Sequence, residues 1–558
     1  MWRIWFIFAV FAAIFFLILN RLFYWQVISA SKLQSEAASQ YFLEFSLPPS
    51  RGSILAQGKS PLAMNQPAFL VYAEPKHITD SRQFAHMVSG TLGTDEQKLT
   101  SDISDPTRFW VPLAHKVETP VMQKLQSLKL NGLGFEKEAK RFYPEASMAA
   151  NILGFVGSDT NGRDQGYFGL EGYYDRELRG REGALRIEKD AKGNPILVGD
   201  VSRQDPKDGR SLVLWLDRTV ERIVEHRLEE GIQTYGAKSG SVIVMDPATG
   251  GILASSSYPS YDPSKFTDYP DAVYKNPLVS SSYEPGSTFK VLIMSAALEE
   301  KLVTPITTMS EDGPIQIGEY SVKTWNEKYH GTITMTNVLE YSSNVGMVFV
   351  ERKLGKDKFL RYLRAFGVGT PTGIDLEEES SPELRDDRDW REIDLATASF
   401  GQGIAVTPVQ MVRAVGALAN GGWLMEPHVV REIVDANGRA VTIKPKRVRQ
   451  VITSPTAHII TEMMIAAVDS GEAKWAKPAG YRIAGKTGTA QIPVAGHYDQ
   501  NKTIASFVGF APADNPRFVV LVTLREPSTS PWGSETAAPL FFAIARDLFG
   551  YWGISPQQ

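Results

Sequence analysis

The chain has 558 residues, more than one ordinary domain needs, and its 43% hydrophobic and 22% charged residues are the balance of a folded globular protein. A net charge of −4 gives no basis for nucleic-acid binding. The absence of cysteine excludes disulfides, thiolate metal ligands and a cysteine nucleophile, and the eight histidines lack metal-ligand spacing, so no metal or other cofactor is expected.

The first predicted element is an uncharged stretch from Ile4 to Leu19, flanked by tryptophan and tyrosine residues and followed by Arg21. With these flanks it reaches the roughly 20 residues that span a bilayer, and such rings favour the membrane interface. A cleaved signal peptide is the alternative, but the small residue Ala30 lies far beyond the apolar core. We predict a retained single-pass anchor within residues 1–25, with nearly all of the chain on the far side of the membrane.

Residues 26–208 are predicted to form a membrane-proximal domain of short strands, helices and many turns. Pro48 and Pro49 disfavour a helix where extended structure begins. PAFLVYAEP is predicted as a strand, TPVMQKLQSLKL as a helix and FVGSDTNGRDQGYFG as surface loops. Nothing in this region has the pattern of a reaction centre.

The second predicted domain covers residues 209–558 and opens with a strand, a long amphipathic helix and a β-hairpin in SGSVIVMDPATGGILASSS. Apolar helices are predicted at 287–300 and 407–419, the latter with Thr407 as N-cap and Pro408 at the first helical position. The strand RFVVLVTLRE and the helix AAPLFFAIARDLFGYW close the chain. This order predicts an α+β domain with a largely antiparallel sheet.

Ser287 and Lys290 form an S-x-x-K pair at the predicted start of an apolar helix. Residues three apart share one helical face, so the Lys290 amine would reach the Ser287 hydroxyl. Burial would lower the pKa of this lysine and make it a base, and the helix N-terminus suits an oxyanion. Taken alone, the pair is a weak signal: the same spacing at Ser29 and Lys32 is read as chance, and an N-cap beside a solvated lysine is the simpler interpretation.

A second motif, Ser342-Ser343-Asn344, is predicted on a short connection between two helices. A hydroxyl and an amide at this place would relay a proton and hold a substrate amide. Taken alone, serine and asparagine in such a connection most often only form the turn.

The third motif, Lys486-Thr487-Gly488-Thr489, is predicted as a strand. Its lysine and its threonine hydroxyls suit a carboxylate, and Gly488 would let another backbone lie against the strand. A phosphate-binding loop is excluded because G-x-x-x-x-G-K-[ST] is not met, and an exposed edge lysine is the plainer alternative.

Together, and in this order, the three motifs are the set of penicillin-binding proteins and class A β-lactamases, with Ser343 where the S-D-N form has aspartate. The chain resembles class B penicillin-binding proteins over nearly its full length, through PPSRGSI, GLEGYYDRELRG, MDPATGGILASSSYPSYDP, FGQGIAVTPVQ and ASFVGFAPADNPRF. It departs from the family at LAQGKSPLA, where an Asp-Arg-Asn-Gly run is usual. YEPGSTFK and SSNVG are more similar to the division or sporulation branch than to the elongation branch.

This resemblance implies an elongated pedestal of the dimerisation type and a serine β-lactamase-like transpeptidase domain. The implied activity is a peptidoglycan D,D-transpeptidase in septal wall synthesis. Ser287 would attack the penultimate D-Ala carbonyl of a stem peptide and Lys290 would take its proton. Ser342 would pass a proton to the leaving amine, and Asn344 would orient the substrate and the lysine.

The resemblance also implies the binding residues and the partners. Lys486, Thr487 and Thr489, beside Gly488, would hold the terminal carboxylate of the substrate, and the backbone N–H groups of Ser287 and Thr489 would form the oxyanion hole. β-Lactams would mimic the donor and trap the acyl-enzyme. Glycan polymerisation would need a multi-pass membrane polymerase, and division proteins are expected partners.

Other functions share an acylated serine. A β-lactamase would hydrolyse the acyl-enzyme with a glutamate-held water, and Glu377, Glu378 and Glu379 follow Asn344 at about a suitable distance, but without an E-x-x-L-N pattern. A D,D-carboxypeptidase would also transfer the acyl group to water. A β-lactam sensor usually has several spans and a signalling module. Intact motifs disfavour a degenerate scaffold, and the lack of G-x-S-x-G disfavours a Ser-His-Asp hydrolase.

Overall fold

The computed structural model describes residues 1–105, 108, 110–160, 162–189, 196, 201–494 and 497–557. By its contacts the chain divides into two compact units. The first comprises Met1–Arg51 and Arg179–Gly209, and the second comprises Gly52–Leu178 and Arg210–Gln558. Each unit is therefore discontinuous in sequence.

The helices of the described chain are numbered α1 to α18. They cover Trp2–Phe23, Ala30–Tyr41, Ser81–Leu92, Glu96–Ile103, Thr119–Ser127, Ala150–Leu153, Gly169–Tyr173, Asp175–Leu178, Arg218–Tyr235, Pro277–Ser280, Lys290–Glu299, Met335–Glu340, Asn344–Leu354, Lys356–Ala365, Glu392–Ser399, Pro408–Ala419, Ser454–Asp469 and Ala537–Tyr551.

The strands of the described chain are numbered β1 to β23. They cover Phe42–Leu47, Ile54–Leu55, Pro61–Ala73, Val111–Glu118, Leu133–Phe142, Phe155–Ser158, Asp164–Tyr167, Gly183–Glu188, Val201–Gln204, Ser211–Leu214, Ser239–Met245, Ile252–Tyr258, Thr308–Glu311, Ile315–Ile317, Tyr320–Val322, Gly331–Thr334, Trp423–Met425, Val430–Val434, Ala440–Thr442, Arg447–Gln450, Ala484–Val494, His497–Ala511 and Phe518–Arg525.

The first unit contains the apolar helix α1, which continues as a π-helical turn over Tyr24–Ile28. None of the α1 residues is buried, so its large apolar side chains have no protein core to pack in. The guanidinium of Arg21 lies 4.9 Å from the ring centre of Trp25. In the part of the chain that the structure describes, Trp2–Ile28 is the one helix long and apolar enough to span a membrane. A three-stranded sheet, β1-β8-β9, completes this unit.

The second unit contains a seven-stranded sheet in the order β19-β18-β10-β2-β3-β4, with β5 also pairing with β3. β2 and β10 are parallel, and the other pairs are antiparallel. The predicted strand PAFLVYAEP lies in β3, and the predicted helix TPVMQKLQSLKL begins with α5. Phe84, Leu99 and Leu125, from α3, α4 and α5, pack against Val71 of β3. One sheet thus joins strands from both sequence segments of this unit.

A five-stranded antiparallel sheet, β12-β11-β23-β22-β21, forms the centre of the second unit. Its residues alternate between two cores, because successive side chains of a strand point to opposite faces. Val242 and Val244 of β11 face the core that contains helices α9 and α18, whereas Ile243 and Met245 face the core that contains α11 and α16. The predicted hairpin is β11 and β12.

Helices cover both faces of this antiparallel sheet, which confirms the predicted α+β domain with a largely antiparallel sheet. Every residue from Lys290 to Leu298 in α11 is buried, as expected for a helix that is apolar all round. Helix α16 begins as predicted: Pro408 is its first residue, and the Thr407 side chain accepts a hydrogen bond from Gln410 N. β21 is the edge strand, so one of its sides is open to another chain segment.

Candidate active site

Ser287 lies in a 3₁₀ turn over Gly286–Phe289, and α11 begins only at Lys290. The predicted start of this helix at Ser287 is therefore wrong by about one turn. The left-handed Gly286, with φ of 55°, introduces the tighter turn, and its N–H donates to Gly401 O at 3.0 Å. Residues i and i+3 eclipse in a 3₁₀ turn, so Ser287 and Lys290 lie on the same side of it. Ser287 is half-buried.

Lys290 is completely buried, and its amine is held by the second motif. Its Nζ donates to Ser342 O at 2.5 Å, to Asn344 Oδ1 at 2.8 Å and to Ser342 Oγ at 3.3 Å. Among the hydrogen bonds of the described residues, none joins Lys290 to the Ser287 hydroxyl. Burial lowers the pKa of Lys290 well below its usual value, and the positive charge of Lys486 lowers it further. Both effects favour the neutral amine, which is the form that a base needs.

Ser342 occupies the predicted connection between α12 and α13, in a strained conformation. Its φ of 55° is left-handed, which costs an L-residue roughly 1–2 kcal/mol. In this conformation the carbonyl and the hydroxyl of Ser342 both reach Lys290. The hydroxyl also accepts a hydrogen bond from Lys486 Nζ at 3.0 Å. One hydroxyl thus connects two lysine amines.

Ser343 has a supporting function that the motif alone does not indicate. Its hydroxyl caps α13 by accepting from Gly346 N at 2.8 Å, and it donates to Glu311 Oε1. The other oxygen of the fully buried Glu311 accepts from the backbone N and the Nδ1 of His330, at 3.1 and 2.8 Å. Glu311 thereby brings a carboxylate to the motif in which serine replaces aspartate. That replacement was the only hint in the sequence.

Lys486 projects from the edge strand β21 and is 3% exposed. Besides Ser342, its Nζ donates to Thr487 Oγ1 at 3.2 Å. Burial lowers the pKa of Lys486 to about 8, and the negative charge of Glu472 opposes this shift. A lysine that is still largely protonated at pH 7 suits the binding of a carboxylate.

Gly488 is the position where β21 meets the Ser287 turn. A Cβ on Gly488 would lie 2.7 Å from Thr288 Cγ2 and 3.1 Å from Pro285 O. The Thr489 hydroxyl accepts from Gly533 N at 3.0 Å, which leaves its own proton for another acceptor. The structure therefore brings the first and third motifs into direct contact.

Two tryptophans meet beside this site. The Trp325 and Trp532 ring centres are 4.8 Å apart at an interplanar angle of 62°. Trp325 lies two residues after Lys323, whose carbonyl accepts from Asn344 Nδ2 at 2.9 Å. Trp532 directly precedes Gly533, whose N–H donates to Thr489 of β21. One ring thus comes from the side of the second motif and the other from the side of the third. No local pattern singled out either tryptophan, because the segments that carry them are far apart in sequence.

The three consecutive glutamates considered for water activation make structural contacts. Glu377 Oε2 accepts from Phe168 N at 2.9 Å, and Glu379 Oε1 accepts from Thr372 N at 2.5 Å. Glu378 lies 3.6 Å from Lys275 Nζ. No hydrogen bond in the described structure connects these carboxylates to Lys290 or Lys486.

Two family models match this chain. Residues 240–546 match the penicillin binding protein transpeptidase domain, and residues 46–214 match the penicillin-binding protein dimerisation domain. The first match covers more than half of the chain and contains all three motifs.

Named relatives match over almost the whole chain. Stage V sporulation protein D of Bacillus subtilis is 34% identical over 98% of this chain and 85% of the relative. Peptidoglycan D,D-transpeptidase FtsI of Escherichia coli is 28% identical over 97% of this chain and 90% of the relative. Among solved structures, penicillin-binding protein 2X of Streptococcus thermophilus has a TM-score of 0.77 and 25% identity, covering 92% of this chain and 80% of that one. Penicillin-binding protein 3 of Mycobacterium tuberculosis, complexed with aztreonam, has a TM-score of 0.72 and 27% identity, covering 92% and 98%.

Proposed function

Since the chain belongs to the class B penicillin-binding protein transpeptidases, we propose that Ser287 is the residue that forms its acyl-enzyme. The protein is a serine-type peptidoglycan D,D-transpeptidase, and β-lactams acylate it. One observation supports Ser287 above all. Its turn packs on Gly488 of the carboxylate-binding strand, and the buried amine of Lys290 follows one 3₁₀ turn later.

In the acylation step, the Ser287 oxygen attacks the carbonyl carbon of the penultimate D-Ala of a stem peptide. The neutral Lys290 amine takes the hydroxyl proton as the new C–O bond forms. The C–N bond to the terminal D-Ala then breaks, and its nitrogen receives a proton through Ser342, which is hydrogen-bonded to Lys290. The products are the acyl-enzyme and free D-Ala.

In the transfer step, the amine of a second stem peptide attacks the ester carbon of the acyl-enzyme. The amine gives up a proton as the new peptide bond forms, and the Ser287 oxygen leaves with a proton. Asn344, which bonds to Lys290 and to the Lys323 carbonyl, orients the lysine and the substrate amide. The two chains are thereby cross-linked.

The edge strand β21 provides the binding site for the donor peptide. Lys486 and the hydroxyls of Thr487 and Thr489 take the terminal carboxylate of the donor. The N–H groups of Ser287 and Thr489 form the oxyanion hole that stabilises the tetrahedral intermediate. Because β21 has an open edge, an extended peptide can pair with it as an added strand.

The domain boundaries and the location follow from the same assignment. Residues 1–25 form the cytoplasmic end and the anchor, 26–208 the membrane-proximal domain and 209–558 the transpeptidase domain. The apolar helix holds the protein in the plasma membrane in a single pass, with the bulk of the chain outside the cytoplasm. A multi-pass glycan polymerase and division proteins are its partners. Septal wall synthesis fits the sporulation and FtsI relatives.

Labelling with a fluorescent penicillin, followed by peptide mass mapping, tests this function. We expect a stable adduct on Ser287, and none in Ser287→Ala. Ser29→Ala is the matched control, because it disrupts the chance S-x-x-K pair and leaves labelling intact. An adduct at another residue contradicts the assigned nucleophile. Rapid release of hydrolysed penicillin indicates a β-lactamase instead.

A further inference from the structure

Besides Glu311, a second acidic residue lies in a segment that packs near Ser342. Glu472 follows Gly471 in the connection between α17 and β21. A Cβ on Gly471 would lie 2.1 Å from Ala467 O and 3.2 Å from Glu340 O. Glu340 ends α12, two residues before Ser342. The turn that carries Glu472 therefore packs against the segment that carries the shared hydroxyl.

One oxygen of the Glu472 carboxylate, Oε1, is buried and has no hydrogen-bond partner among the described residues. The buried Glu311, by contrast, accepts hydrogen bonds on both of its oxygens. A buried carboxylate is costly unless a positive charge compensates it.

The two buried lysine amines, in turn, need a negative charge to compensate a positive one. Lys290 and Lys486 are 0% and 3% exposed, and both amines bond to the Ser342 hydroxyl. Two ammonium groups so close together repel each other, so the site favours one charged and one neutral lysine. One carboxylate beside them balances one positive charge.

We infer that Glu472 is a positioning residue of the transpeptidase site, whose carboxylate keeps Lys486 charged for the substrate carboxylate while Lys290 remains the neutral base. The inference rests on the proposed function. Glu472 touches no reacting atom and acts only through the charge state of the two lysines.

The charged groups around Glu472 agree with this function. Burial raises the pKa of Glu472. The charges of Lys486 and Lys290 and the nearby Trp325 side chain oppose this rise, and the charge of Glu535 adds to it. In turn, Glu472 raises the pKa of Lys486, and Glu472 and Glu311 raise that of Lys290. Glu472 is thus the carboxylate that acts on both amines, whereas the Glu311 oxygens are committed to Ser343 and His330.

The substitution Glu472→Gln removes the charge and keeps nearly the same shape. The rate of acylation by a fluorescent penicillin is measured from about pH 5.5 to 9.5. We expect its decline at alkaline pH to occur about one pH unit lower than in the parent protein. At pH 8 the rate then falls about fivefold, because a tenfold lower proton affinity leaves Lys486 deprotonated in most molecules. At pH 6 the rate does not fall. Glu472→Asp restores the charge and moves the limb back towards that of the parent protein.

Glu319→Gln is the matched control, because this exposed carboxylate carries the same charge and is not among the groups that act on Glu472 or on the two lysines, so its loss leaves the profile in place. An unchanged profile in Glu472→Gln, or an equal loss of rate at every pH, overturns the inference. Labelling of Lys486 with acetic anhydride at a series of pH values measures the lysine pKa without any activity and should show the same shift. Failure of the parent to label at Ser287 would instead reject the proposed function, and the anhydride measurement still decides on Glu472.

Discussion

Lys486 donates a hydrogen bond of 3.0 Å to the hydroxyl of Ser342, although 144 positions separate the two residues in sequence. The same hydroxyl lies 3.3 Å from the amine of Lys290. A proton on any of these three groups can therefore be passed to the next without a large movement. The contact makes the three motifs one hydrogen-bonded unit, with the carboxylate-binding lysine coupled to the catalytic base.

Removal of the Ser342 hydroxyl should interrupt the proton path between the two lysines. In Ser342→Ala we expect acylation by a fluorescent penicillin to fall by about 10²-fold, because the proton path to the leaving nitrogen is lost. The backbone bond from Lys290 to Ser342 O does not depend on the side chain. Ser281→Ala, at an exposed serine outside this network, should acylate normally. A rate within twofold of the parent would show that the hydroxyl is dispensable.

Lys290 should be essential as a base. In Lys290→Met the apolar stem is kept and the amine is lost, so acylation should fall by at least about 10³-fold. In the parent protein, acylation should rise with pH as Lys290 loses its proton, with a midpoint well below the usual value for lysine, because burial and Lys486 lower this pKa. Rates measured across pH check both statements, and Lys301→Arg, at an exposed position, is the control. A midpoint near 10 would contradict the burial argument.

Gly488 should tolerate no side chain. In Gly488→Ala the Cβ would approach Ser506 Oγ at 2.4 Å and Thr288 Cγ2 at 2.7 Å, which forces the Ser287 turn away from β21. We expect a loss of about 1–3 kcal/mol in stability and a large loss of acylation. Gly313→Ala is the matched control, because nothing lies within 4 Å of its Cβ position. Thermal unfolding and penicillin labelling of both variants measure the difference, and equal behaviour would refute the close packing.

The stability of the second unit should depend on a half-buried acid away from the active site. Glu225 of α9 accepts a hydrogen bond from Ala149 N at 2.9 Å, and burial raises its pKa from 4.5 to about 7. The folded state therefore keeps a proton that the unfolded chain loses above pH 4.5. Its contribution to stability is complete below pH 4.5 and is lost as the pH rises to about 7.

Glu225→Gln should remove this dependence, since the amide keeps an acceptor for Ala149 N and carries no charge. At pH 8 the variant should be more stable than the parent by on the order of 2 kcal/mol, and near pH 4.5 the two should be alike. Thermal unfolding in detergent at both pH values tests this. Glu136→Gln, at an exposed position that is not among the groups acting on Glu225, should leave the difference between the two pH values unchanged. If Glu225→Gln stabilised the protein equally at both pH values, the effect would not come from the titration of Glu225.

The sequence by itself determined the local structure and the residues of the three motifs. The β-branched runs around the turn DPATGG predicted the hairpin, and the Thr407-Pro408 pair predicted the start of α16, because these features depend on neighbours a few residues away. The start of α11 was wrong by one turn, because the contact of Gly286 with Gly401 sets it, and that partner is distant in sequence.

Only the tertiary structure decided how the motif residues meet and which carboxylates support them. Glu311 and Glu472 stand in segments without a catalytic pattern, and the glutamates nearest to a suitable spacing, Glu377 and Glu379, bond to loop backbone instead. The physical reason is that spacing fixes contacts only within one element. Contacts between β21, α11 and the α12–α13 connection depend on the packing of a whole core, and burial in that core changes the proton affinity of the lysines.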